Sequence, residues 1–201
     1  MEIKTKMNKM LGFYELPKTG LPCIAWKKFD YDMKLDDTLL WTVRTAVLKG
    51  NDLSLPRKVG VSATEAYEFG KQQLNHLKDR GLVVIYPYFI AEKSGTLEVK
   101  NNRTIIEAVK KDLWNLVTKN QKDVTIIVTE DGKTYDGDHK FLDTNELADL
   151  LHEAEKIRSK YRDSIAQGNS LLLEWSFAFN TNKNGEKIGG KYLVFYEVRE
   201  L

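Results

Sequence analysis

Leu171-Leu-Leu-Glu-Trp-Ser-Phe-Ala-Phe-Asn180 and Tyr192-Leu-Val-Phe-Tyr-Glu-Val-Arg199 are two runs of aromatic and branched residues, separated by a polar stretch from Thr181 to Gly190. The pattern predicts an antiparallel β-hairpin turning near Gly185–Glu186. Alternation puts Leu171, Leu173, Trp175, Phe177 and Phe179 on one face of the first strand, and Leu172, Glu174, Ser176 and Ala178 on the other. On the second strand it groups Glu197 and Arg199 with Leu193 and Phe195. That register sets Glu174 opposite Glu197, with Arg199 one step away. Two facing carboxylates repel unless a cation, a proton or the arginine sits between them. Two readings stay open at this point: a surface ion-pair cluster, or a metal-phosphate site with small neighbours left clear for a ligand.

The chain has 201 residues, enough for one large or two small domains with a substantial core. Its net charge of +2 gives no global pull toward nucleic acid. Cys23 is the only cysteine, which rules out an intrachain disulfide and suits a cytoplasmic protein. No run is apolar enough for a membrane span, and the N-terminus lacks a signal peptide's apolar core. His76, His139 and His152 share no metal-ligand spacing.

Met1 to Met10 reads as a short amphipathic helix or frayed end, and Cys23 to Phe29 as a strand. Residues 1–38 are thus an N-terminal segment before the main domain, 39–201. Leu39 to Leu48 predicts a buried strand carrying Arg44, whose burial calls for an ion partner or a ligand. Leu55-Pro-Arg-Lys-Val-Gly60 reads as a basic loop ahead of a helix capped by Ser62 and Glu65, a setting that can hold phosphate. Leu82 to Ala91 is a strand in which Pro87 marks an edge, a bulge or an interruption. Ser94-Gly95 predicts a turn into a second strand, Thr96 to Lys100. Thr104 to Lys119 shows helical spacing, Asp123 to Thr129 a strand, and Asp143 or Thr144 to Gln167 a long helix. Hairpins beside about three main helices argue for an α+β fold with a mixed or antiparallel sheet.

Several segments, in order, resemble the ATP-grasp nucleotide-binding domain of phosphoenolpyruvate synthase and pyruvate phosphate dikinase, a domain related to those of rifampicin phosphotransferases and glucan water dikinases. Trp41-Thr-Val-Arg-Thr-Ala-Val47 resembles the family's V-R-S-S-A strand, and Arg57-Lys-Val-Gly60 falls where its S-F-A-G loop comes. Val83 to Leu97 is similar to V-V-Q-x-M-V-x-A-x-x-S-G-V-L, and Ile106-Glu-Ala-Val109 to I-E-A-V. Leu173 to Ala178 resembles I-E-W-A-I-D, and Phe195 to Arg199 the terminal L-Q-x-R. The likeness spans about residues 40 to 199.

The resemblance implies an ATP-grasp-like fold, ATP and Mg²⁺ as cofactors, and phosphoryl transfer. It assigns Arg44 and Arg199 to the phosphates as catalytic groups. Gly60, Lys100 and Glu107 would lie among the cofactor-binding residues, and the backbone around Tyr86 to Tyr88 would meet the adenine edge. Glu174 and Glu197 would hold the metal. The family's G-L-G-E is replaced here by Lys110-Lys-Asp-Leu-Trp114. Its G-G-K nucleotide loop and T-x-x-G-G-x-x-x-H phosphohistidine domain have no counterpart, which excludes a complete dikinase cycle within this chain. A minimal or partner-dependent phosphotransferase remains, its acceptor supplied by a protein partner. The alternative is a non-catalytic module whose Arg57, Lys58, Lys110 and Lys111 meet a phosphate backbone or an acidic protein. A third possibility is a structural or regulatory protein without a small ligand.

Overall fold

The structure, a computed structural model, describes residues 6–50, 55–113, 116 and 122–201. Two antiparallel sheets form the frame. The smaller joins β1 (Lys27–Lys28), β2 (Trp41–Val47), β3 (Arg57–Val61) and β4 (Gly81–Pro87) in the order β1-β4-β2-β3. The larger joins β5 (Phe89–Val99), β6 (Thr104–Lys110), β7 (Val124–Thr129), β8 (Gly132–Gly137), β9 (Leu171–Thr181) and β10 (Lys187–Glu200) in the order β10-β9-β5-β6-β7-β8. The chain crosses between sheets at Tyr88, just past Pro87, where the proline stops the β4 ladder.

Period-two alternation builds three cores. Helix α2 (Ala63–Leu77) starts at the Ser62–Glu65 capping box and covers the outer face of the smaller sheet, around Val43, Val83 and Ile85. Helix α3 (Thr144–Lys160) starts at the Asp143–Glu146 capping box and covers the outer face of the larger sheet. There Leu150, Ala154 and Ile157 meet Leu97, Ile106, Leu173 and Trp175. A short α4 (Arg162–Ala166) completes that run of helix as far as the sequence predicts. Between the sheets lies a third cluster, with Ala46, Val84 and Tyr86 facing Ala178, Val194 and Tyr196. Helix α1 (Lys9–Glu15) closes this layer at one end through Phe13. Leu16, Leu21 and Phe29 are also buried, so the N-terminal segment packs into all three clusters.

Several local expectations are corrected. The N-terminal helix runs from Lys9, after an Asn8 cap, to Glu15, so most of it lies beyond the expected residues 1–10. Strand structure in Cys23–Phe29 is limited to β1 and a single parallel bridge from Cys23 to Phe195. Residues 57–61 form strand β3, because their backbone pairs with β2; the basic loop is a sheet edge. Ser94-Gly95 is no turn. Strand β5 runs straight through it, pairing with β6 on one side and β9 on the other. Glycine is needed there for close approach: a Cβ would lie 2.0 Å from the Glu107 carbonyl oxygen and 2.4 Å from the Trp175 ring.

Thr104 to Lys110 is strand β6, not the start of a helix. Its Thr-Ile-Ile opening favours a pleat, and both of its edges are paired. The remainder of that expected helix lies mostly outside the described residues.

Gly95→Ala should therefore destabilise the chain by about 3 kcal/mol or more, because the clash is with backbone and a locked indole. Urea denaturation checks this; a near-neutral effect would contradict the continuous β5.

Candidate functional site

The hairpin places its carboxylates as the sequence predicts, but by a different route. The loop runs from Asn182 to Glu186, and β10 pairs Lys187 with Thr181. Irregularities between Ile188 and Tyr192 and between Phe195 and Glu197 then bring Glu197 opposite Glu174. The second is a bulge at Tyr196, and it inverts the alternation. Leu193 and Phe195 therefore point into the α3 core, whereas Tyr196, Glu197 and Arg199 point the other way. This corrects the expected grouping of Glu197 with Leu193 and Phe195. Across the larger sheet one row reads Glu197, Glu174, Thr96, Glu107, Thr125.

Three cations meet this row, two of them from other elements. Arg44 reaches across from β2, only 6% exposed. Its Nη2 donates to Glu197 Oε2 at 2.6 Å and stands 3.7 Å from Glu174 Oε2. Arg199 Nη2 lies 3.5 Å from Glu197 Oε1 and 3.6 Å from Glu174 Oε1. Lys9, from α1, places Nζ 3.3 Å from Glu197 Oε2. Helix α1 sits close enough for this because Gly12 lies flat on β10, where a Cβ would come within 1.8 Å of the Val198 carbonyl oxygen. The Arg44 guanidinium also packs against Phe13 and Tyr196, at 5.9 and 5.7 Å from the ring centroids.

Burial and charge set the two glutamates apart. Burial, and after it the Glu197 carboxylate, pushes Glu174 up to about 7 against the pull of Arg44, Lys9 and Arg199. Burial also opposes ionisation of Glu197, but Arg44, Lys9 and Arg199 outweigh it and hold that carboxyl below the ordinary range. Burial, then Arg44, holds Lys9 below the usual lysine range.

Arg44 and Glu174 form part of the wall of a cavity of about 670 Å³ between the sheets. Tyr86, Tyr88, Phe89 and Leu113 give it an aromatic and apolar side, and Arg57, Lys110, Lys111 and Lys187 a basic one. Ser94 and Ser176 share a hydrogen bond of 2.8 Å on the floor. Other expected site residues are placed differently. Gly60, at φ +66°, lies against the Tyr88 ring within β3, so it shapes the wall rather than a phosphate loop. The Tyr88 N–H donates to the Leu40 carbonyl, and its own carbonyl accepts from Thr181. At the β5 bulge the Glu92 carbonyl accepts from the Lys111 N–H at 2.8 Å. Glu107 accepts from Thr96 at 3.4 Å, two strands beyond Glu174. Lys100 pairs with Glu98 at 3.0 Å in the β5–β6 turn and does not reach the cavity. Lys9 was not foreseen; the Asn8 cap and the small Gly12 were its only signals.

The donor set does not suit a divalent metal. All four oxygens of Glu174 and Glu197 already face a guanidinium, and no group of three or more His, Cys, Asp or Glu side chains arranged to hold a metal occurs among the described residues.

No protein-family model matches this sequence, and neither does any curated protein. The fold is similar to that of an L-amino acid ligase from Bacillus licheniformis (TM-score 0.51, 12% identity), over 97% of this chain and 40% of the ligase. It is also similar to an N5-carboxyaminoimidazole synthetase from Staphylococcus aureus (TM-score 0.49, 10% identity), over 96% of this chain and 43% of that one. The likeness to the ligase shows an ATP-grasp-like α+β fold. The chain spans less than half the length of either protein. No described helix is long and apolar enough to cross a membrane.

Glu174 and Glu197 should respond oppositely to neutralisation. The folded chain keeps a proton on Glu174 that the unfolded chain releases, so this group's contribution falls as pH rises from 4.5 to about 7. The Glu197 contribution has the other sign and is lost as pH falls below the ordinary carboxylate range. Glu174→Gln should flatten the first slope and leave the fold as stable or more stable above neutral pH. Glu197→Gln and Arg44→Met should each cost about 3–5 kcal/mol, because each breaks the shortest contact of a buried ion cluster. Chemical denaturation against pH checks this; equal losses from the two glutamate variants would contradict it.

Proposed function

We propose that this chain binds an adenine nucleotide, ATP in the first instance, in the cavity between its two sheets. The observation that carries the reading is the division of that one cavity into an aromatic end and a basic end. A volume of about 670 Å³ falls within the range of small-molecule and cofactor sites, roughly 300–1,000 Å³. Tyr88, Phe89 and Leu113 offer a purine an apolar slot. Five cations line the wall (Arg44, Arg57, Lys110, Lys111 and Lys187) against three carboxylates (Glu92, Asp112 and Glu174), a formal excess of +2 that favours a polyphosphate.

The fold supports this reading, since ATP-grasp-like architecture sets a nucleotide between two such sheets. A closer kinship with phosphoenolpyruvate-utilising enzymes rests on the short motifs around Arg44, Glu107, Glu174 and Arg199. Phosphoryl transfer to an acceptor brought by a protein partner is the extension of that kinship. Concavity favours a small ligand over a nucleic-acid backbone: Arg57, Lys110 and Lys111 face a cleft, and Lys58 is drawn toward Glu65 at 3.9 Å.

Saturating ATP, at a hundred times its dissociation constant, should stabilise the fold by about 2.7 kcal/mol in thermal denaturation. Lys111→Met should weaken binding about tenfold while leaving the ligand-free melting temperature in place. Stabilisation by RNA with a steep salt dependence, and none by ATP, would contradict the nucleotide reading.

A further inference from the structure

The charge count at the cavity floor runs against a metal. Glu174 and Glu197 supply two negative charges, and Lys9, Arg44 and Arg199 supply three positive ones within 4 Å of them. With both carboxylates ionised the cluster is therefore +1 before any ligand arrives. A divalent cation needs open oxygen lone pairs and an excess of negative charge around it. Here it would have to displace Arg44 and Arg199 from the space between the two glutamates, and those guanidiniums come from different sheets. Glu197 is 2% exposed and gives its shortest contact, 2.6 Å, to Arg44. Moving Arg44 away would break the shortest contact of this buried cluster and take the guanidinium from its nearest anion.

We infer that Arg44 and Arg199 stand where a divalent ion would neutralise Glu174 and Glu197, and that a phosphate-bearing ligand is held at the cavity floor without metal. The second half rests on the nucleotide reading above. The glutamates then act as positioning residues: they fix the Arg44 guanidinium in the cavity wall. A guanidinium neutralises a phosphate oxygen directly and can do so with two parallel hydrogen bonds. Lys110 and Lys111 supply further positive charge along the wall, a task that bound metal performs where such side chains are missing.

The test uses the full chain and two probes, Mn²⁺ alone and ATP with either Mg²⁺ or EDTA. Free Mn²⁺ is followed by electron paramagnetic resonance. The wild-type chain is expected to show no saturable Mn²⁺ site at sub-millimolar metal. Arg199→Met, which uncovers one oxygen of each glutamate, is expected to raise Mn²⁺ affinity about tenfold. Saturable Mn²⁺ binding by the wild type that Glu174→Gln abolishes would overturn the assignment. So would an Arg199→Met variant that is folded by circular dichroism and gains no Mn²⁺ affinity. ATP affinity is expected to agree within about threefold between EDTA and Mg²⁺; ATP binding lost in EDTA overturns the metal-free half. If ATP binds under neither condition, the nucleotide reading fails and the metal-free half with it, while the Mn²⁺ titrations still decide the role of the glutamates.

Discussion

The contact between Arg44 and Glu197, 2.6 Å long and almost wholly buried, joins the smaller sheet to the larger. Everything at the cavity floor depends on it. A guanidinium taken out of water needs an anion, and β2 has no acidic residue of its own to provide one. The anion comes instead from β10, where the Tyr196 bulge turns Glu197 inward and sets it beside Glu174. Repulsion between the two carboxylates is then relieved from three directions, by Arg44, Arg199 and Lys9. The result is a rigid, slightly positive floor rather than an open acidic pair.

That floor also accounts for the tightness of the surrounding packing. Gly12 lets α1 lie against β10 and deliver Lys9, while Phe13 and Tyr196 give the Arg44 guanidinium aromatic surfaces to rest on. Hydrophobic burial holds α2 and α3 on the outer faces, so neither helix needs to enter the space between the sheets. The interlayer is thus free to be part core and part cavity. Its closed end is built from Ala46, Val84, Ala178 and Val194, and its open end from Tyr88, Phe89 and the basic side chains.

Much of this was legible in the sequence where one local rule dominates. The Ser62–Glu65 capping box, the start of the long helix at Asp143, the buried strand around Arg44 and the facing of Glu174 and Glu197 follow from residue type and spacing. The failures share a cause, because each involves contacts distant in sequence. Ser94-Gly95 has turn chemistry, yet Trp175 and β6 press on Gly95 and keep the strand straight. Thr104 to Lys110 fits a helical period over a short window, and only the pairing with β5 and β7 settles it as a strand. The partner of Arg44 is 153 residues away, and Lys9 is 188 residues from the carboxylate it meets. The bulges of β10 were invisible too, so the correct register there did not bring the correct faces with it.

The central claim, a nucleotide site between the sheets, is tested most directly by following backbone amide resonances of the labelled chain during an ATP titration. The account predicts concentration-dependent shifts confined to Tyr88–Glu92, Lys110–Leu113 and the strand around Arg44. Amides of the distant groove around Asn101, His152 and Arg158 should stay unmoved. Shifts centred on that second groove, or an unchanged spectrum at saturating ATP, would contradict it.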